Sequence, residues 1–137
     1  MIQDQVNEAA FAPDPALHGL QVFVVEDEAL VAMLIEDMLT DLGCQVVGVA
    51  GTVAEAMERA AALPAIDVAI LDVNLGGEFV FPVADALKAR GVPFVFSTAY
   101  VTLKLEARYP GSRLLRKPYL QAALADTLAG LSGPMHS

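Results

Sequence analysis

The sequence predicts an α/β domain: a doubly wound sheet of five parallel strands in the order 2-1-3-4-5. Three observations predict it. From Gln21 onward, short runs of Val, Ile, Leu and Phe alternate with longer stretches of helical periodicity, the pattern of strands joined by crossover helices. The runs are apolar almost throughout rather than at every second position, which suits strands covered on both faces. Right-handed crossovers between five such units leave 2-1-3-4-5 as the simplest order.

Each element has its own signal. Strands are expected at 21–25, 45–50, 67–71, 93–97 and 113–116. The first helix, 28–42, places Val31, Leu34, Ile35, Met38, Leu39 and Leu42 on one stripe, with Glu36, Asp37 and Asp41 opposite. Glu28 falls in its first turn, where an acid complements the dipole, and Gly43 ends it. Thr52-Val53-Ala54-Glu55 is a capping box that starts a second helix running to about Ala62. Pro82 suits the first turn of a third helix, which stops near Arg90-Gly91. The last helix, about 120–130, carries Leu120, Leu124, Leu128 and Leu131 at helical spacing. Residues 100–109 contain Val101 and Thr102 and are cut short by Pro110-Gly111, so a short, mobile helix or none is expected there. Residues 1–19, with Pro13, Pro15 and His18-Gly19, are expected to form a mobile or loosely packed extension. The domain proper is then 20–131, with 132–137 as a tail.

Composition narrows the function. The chain has 137 residues, enough for one domain with a substantial core, and 55% of them are apolar, too many for a disordered chain. No apolar run reaches the roughly 18 residues of a membrane span, and the acidic N-terminus does not resemble a secretory signal. A single cysteine, Cys44, excludes an internal disulfide; a reducing, cytoplasmic setting is expected. Residues 1–58 contain eleven acids and no Lys or Arg, and the net charge is −9. Nucleic-acid binding, which needs clustered cations, is not expected, and neither is a membrane partner.

In a doubly wound sheet, ligands sit beyond the carboxyl ends of the strands at the topological switch. Strand 1 ends in Glu26-Asp27-Glu28, strand 3 in Asp72, strand 4 in Ser97-Thr98-Ala99 and strand 5 in Lys117-Pro118. The fold therefore gathers Glu26, Asp27, Asp72, Thr98 and Lys117 on one rim. Carboxylates crowded together repel and raise one another's pKa unless a cation neutralises them. Mg²⁺ fits such a site, because it takes oxygen ligands and binds through few carboxylates plus a phosphate. Alone, an acidic strand end is commonly a solvated or capping group, a strand-end lysine commonly reaches solvent, and a strand threonine is commonly structural. It is their combination that argues for a site.

Acid cluster, lone aspartate, hydroxyl and Lys-Pro in this order resemble the receiver domain of two-component response regulators, across roughly residues 20–131. The resemblance implies a flavodoxin-like receiver fold. It implies Asp72 as phosphoacceptor, assisted by Thr98 and Lys117. It implies Mg²⁺ held by Asp27 and Asp72, by Glu26 mainly through water, and by the backbone carbonyl of Asn74. Phosphoryl oxygens would meet Asn74, Thr98, Ala99 and Lys117, and the bond from Lys117 to Pro118 would be cis. Val92-Pro93-Phe94-Val95-Phe96-Ser97-Thr98-Ala99-Tyr100 is similar to the PFxFATGY motif of a receiver subfamily found in alphaproteobacteria, with Ser97-Thr98-Ala99 in place of Ala-Thr-Gly. The runs Asp72–Glu78 and Leu115–Tyr119 also fit that subfamily. Receivers usually carry Tyr or Phe three positions before the lysine; here the residue is Leu114, which leaves Thr98 and Tyr100 as the candidate switch.

The function this implies is that of a stand-alone response regulator, not an enzyme beyond its own phosphorylation and dephosphorylation. It would take phosphate from a sensor histidine kinase or phosphotransfer protein, and then act on a downstream protein or serve as carrier or sink. Only six residues follow Leu131, so no output domain is expected; a receiver cut from a hybrid kinase is the other origin. The competing class is a phosphorylation-independent interaction module, whose marks, loss of Asp72 or Lys117, are absent. Gly76-Gly77 matches neither the P-loop nor the dinucleotide glycine pattern. His18 and His136 have no partner at ligand spacing. Asp72-Val73-Asn74 lacks the second aspartate of a haloacid-dehalogenase-type phosphatase, and no Ser-His-Asp arrangement is present.

Overall fold

Alternation of side chains along each strand decides where the core lies. In the computed structural model, which describes residues 15–132, the strands are β1 (Gln21–Val25), β2 (Gln45–Ala50), β3 (Val68–Asp72), β4 (Phe94–Thr98) and β5 (Leu114–Arg116). They form one parallel sheet in the order β2-β1-β3-β4-β5, as predicted. The helices are α1 (Ala29–Asp41), α2 (Val53–Ala62), α3 (Phe81–Ala89), α4 (Leu103–Arg108) and α5 (Gln121–Ser132). Phe23, Val25, Ala69, Leu71 and Phe96 share a core with Ala56 and Ala60 of α2, Val83 and Leu87 of α3, and Leu105 of α4. The intervening strand residues Val22, Val24, Val68, Ile70 and Val95 join Ile35 and Leu39 of α1 and Leu124 and Leu128 of α5. No helix among the described residues is long and apolar enough to cross a membrane.

Several expectations need correction. On α1 the expected stripe holds for Ile35, Leu39 and Leu42, with Val31 and Met38 packed at its edge, but Ala32 joins it and Leu34 is 61% exposed together with Leu30 and Met33. Residues 29–35 are apolar without interruption, so periodicity there does not exclude Leu34 from the buried face or pick out Ala32. Glu28 is not in the first turn but at the N-cap position, with extended backbone and no side-chain capping hydrogen bond. Leu120 precedes α5 and is exposed. An additional two-strand hairpin, Asn74–Leu75 with Glu78–Phe79, follows β3. Its turn is Gly76-Gly77 with φ of 57° and 95°, a left-handed pair that glycine adopts without steric cost.

Loose packing does not hold from Pro15 onward. Pro15–Leu17 forms a 3-10 turn, and Leu17 is fully buried in the cluster containing Leu39, Leu42, Leu124 and Leu128. The Gly19 N–H donates to Gly43 C=O at 2.7 Å, fixing the entry to β1. Residues 1–14 and 133–137, with the rest of the expected extension and the tail, lie outside the described residues. Helix α4 does form. Thr102 Oγ1 caps it by accepting from the Leu105 N–H at 3.2 Å, and Leu105 is 1% exposed. Its six residues are too few for a helix stable alone, so tertiary contacts hold it.

Candidate functional site

Parallel register brings the strand ends together. Val25 pairs with Leu71, Asp72 with Ser97, and Thr98 with Arg116. The last residue of β3 and β4, and the residue after β1 and β5, thus reach the same rim, and the Lys117 N–H continues the ladder by donating to Thr98 C=O at 2.9 Å. The Lys117–Pro118 peptide is cis.

Glu26, Asp27 and Asp72 each offer one carboxylate oxygen, all within 4.8 Å of one another. Glu26 and Asp72 are buried, while Asp27 is exposed. Lys117 Nζ lies 2.7 Å from Glu26 Oε1 and 3.3 Å from Asp72 Oδ2. Glu26 Oε2 accepts from the Glu28 N–H at 3.1 Å, so both of its oxygens have protein donors. Asp27 Oδ2 accepts from the Gly76 N–H at 3.0 Å, which ties the hairpin to the acid cluster. Asn74 Oδ1 accepts from the Gly77 N–H at 2.8 Å and closes the same turn.

Electrostatics make Asp72 unusual. Burial first, then the Glu26 charge, push its carboxyl up to about 7, against the pull of Lys117. Burial works to lower Lys117, but hydrogen bonding to Glu26 and the charges of Asp72 and Glu26 outweigh it and hold the ammonium above its ordinary value. One lysine does not offset three carboxylates. A hard divalent cation would, and the donor set fits Mg²⁺: all oxygen, few carboxylates, and an open side for water. Both Glu26 oxygens accept from protein donors, whereas Asp27 and Asp72 each accept on Oδ2.

Thr98 reaches the rim, but its hydroxyl is turned along the chain. Oγ1 donates to Tyr100 C=O at 2.7 Å and accepts from the Tyr100 N–H at 3.2 Å. Ala99 and Tyr100 are exposed, Tyr100 by 78%. The candidate phosphoryl contacts therefore stand close together only in part: Asp72 and Lys117 meet, whereas Thr98 is occupied by Tyr100. The role of Gly76 was not foreseen. Its signal was present in Asn74-Leu75-Gly76-Gly77, a turn pair directly after the Asp72 strand.

The chain matches the response regulator receiver domain family over residues 22–128. It is 32% identical over 133 residues to the phyllosphere-induced regulator PhyR of Methylorubrum extorquens, an alignment covering 93% of this chain and 49% of PhyR. It thus spans about half the length of that relative. Among solved structures, SdrG of Sphingomonas melonis superposes with a TM-score of 0.71 at 44% identity, covering 82% of this chain and 96% of SdrG. The receiver domain of PhyR from Erythrobacter litoralis gives 0.77 at 28% identity, covering 89% and 96%. Fold, rim chemistry and sequence agree: the chain belongs to the response regulator receiver domain family.

Proposed function

We propose that this protein is a phosphorylation-dependent switch whose acceptor is Asp72. The observation that carries the reading is the meeting of Asp72, Asp27, Glu26 and Lys117 at the carboxyl ends of three strands. When bound, Mg²⁺ would neutralise the carboxylates and the incoming phosphoryl oxygens, with Asp27, Asp72 and the Asn74 carbonyl as its protein ligands and Glu26 acting through water. An Asp72 carboxylate oxygen attacks phosphorus. The O–P bond forms as the P–N bond to a donor histidine breaks, and the imidazole nitrogen keeps the electron pair. Protein assistance to this transfer is mostly positioning and charge neutralisation. Lys117 supplies a compact cation, and the Ala99 N–H, together with the Thr98 hydroxyl once it leaves Tyr100, would supply hydrogen bonds to the remaining oxygens.

The phosphodonor is a sensor histidine kinase or phosphotransfer protein. Beside Lys117, a groove of ≈ 160 Å³ is lined by Val31, Leu34, Met38, Pro118 and Tyr119, and α1 also exposes Leu30 and Met33. Such an apolar face adjoining a nucleophile supports docking of the donor's helices. The phosphorylated form acts through contact with a downstream protein, or passes the phosphate on. Incubation with histidine kinases carrying labelled phosphate tests the proposal. Transfer that needs Mg²⁺ and stops with chelator is expected; no labelling from any kinase or from acetyl phosphate would overturn it.

A further inference from the structure

The hairpin that touches the acid cluster is also held from the far side, by α4. Phe79, which pairs with Asn74 in the hairpin, stacks on Phe81 at 5.1 Å with planes 3° apart. Lys104 Nζ of α4 sits over the Phe79 ring at 5.2 Å, and the Arg108 guanidinium lies over Phe81 at 5.6 Å. Between hairpin and helix is a groove of ≈ 320 Å³ lined by Phe79, Phe81, Lys104, Ala107 and Arg108. The two cationic side chains therefore bridge an open groove rather than rest on a packed interface. At its other end, α4 is pinned to α3: Arg108 pairs with Asp85 at 2.7 Å, and Tyr109 donates a short hydrogen bond to the same carboxylate.

We propose that Lys104 is a positioning residue for the metal site: by capping Phe79 it steadies the hairpin that bears Asn74 and Gly76. The inference rests on the reading of Glu26, Asp27 and Asp72 as a Mg²⁺ site. A cation held over an aromatic face is attracted by the ring quadrupole even at an exposed position. Any preference of the hairpin for its metal-competent geometry is then shared with α4, and such coupling is reciprocal. Metal binding should steady α4, and α4 should strengthen metal binding. This route runs through the loop after β3 and does not involve Thr98.

The sign of the effect separates this role from plain electrostatics. Removing a lysine lowers the positive charge of the protein and, as far as charge alone acts, would tighten Mg²⁺ binding. Loss of a positioning contact should weaken it. The test measures Mg²⁺ affinity, with the metal alone, and amide hydrogen exchange at residues 103–109 in the whole chain, comparing wild type, K104A and K104R. In wild type, Mg²⁺ should slow exchange at 103–109. K104A should bind Mg²⁺ about two- to fivefold more weakly and lose that slowing by the same factor, whereas K104R, which keeps a cation over Phe79, should behave as wild type. Lys104 is exposed, so K104A keeps the fold. Equal or tighter Mg²⁺ binding by K104A, or Mg²⁺-dependent protection of α4 that survives in it, would overturn the inference alone. Wild-type protein that takes no Mg²⁺ would overturn the metal reading, and the inference with it.

Discussion

Lys117 stands closer to Glu26, at 2.7 Å, than to Asp72, at 3.3 Å. The cation expected to serve the phosphoacceptor is thus held mainly by a buried neighbouring carboxylate. Glu26 keeps the ammonium charged and at the rim, and a phosphoryl group on Asp72 would draw it across a short distance. Removing the ammonium while keeping the stem, as in Lys117→Met, should leave a Mg²⁺-dependent acceptor that labels about a hundredfold more slowly with acetyl phosphate. Rapid-quench labelling reads this directly, and a wild-type rate would remove Lys117 from the chemistry.

The raised Asp72 carboxyl makes stability depend on pH. Its folded value, about 7, lies above the ordinary 3.8. Its contribution is therefore fully present below pH 3.8 and is lost as pH rises through about 7. Metal-free protein should lose thermal stability across this window relative to Asp72→Asn, which has no such proton to lose. Adding Mg²⁺ should remove the difference at the upper end. Parallel Tm profiles for the two metal-free proteins would contradict the assigned shift.

Leu17 tests the packing of the segment before β1. It is fully buried, so Leu17→Ala should cost about 2–5 kcal/mol by urea denaturation. A change under about 0.5 kcal/mol, as at surface sites, would show that the segment is as loose as its Pro13 and Pro15 had implied.

The sheet was legible because strands buried on both faces carry a nearly uninterrupted apolar code, as in Val22–Val25 and Val68–Leu71. The rim residues followed from the sheet, since parallel topology alone sends Asp27, Asp72 and Lys117 to one edge. Side-chain orientation was not legible. Nothing in Phe96-Ser97-Thr98-Ala99-Tyr100 says that the Thr98 hydroxyl bonds to Tyr100 on both sides, because that depends on the loop's backbone path. Helix α4 was underestimated for a related reason. It is held mainly by Leu105 in the core and Tyr109 packed against it, contacts that local propensity cannot register.

Because α4 is formed, switching through Thr98 and Tyr100 should be sought in the link before the helix. For Thr98 to reach a phosphoryl oxygen, its hydroxyl must leave both Tyr100 groups. Beryllofluoride with Mg²⁺, as an acyl-phosphate mimic, should therefore change exchange most at amides 99–102, and Thr98→Val should lose most of that change. Unaltered exchange at 99–102, with changes confined to α1, would rule this route out.

Asp72 alone is expected to accept the phosphoryl group. Intact-mass measurement after incubation with acetyl phosphate and Mg²⁺ tests it most directly, with wild type, Asp72→Asn and Asp27→Ala side by side. Wild type should carry a single base-labile phosphoryl adduct, Asp72→Asn none, and Asp27→Ala little for want of metal. An undiminished adduct on Asp72→Asn would contradict this.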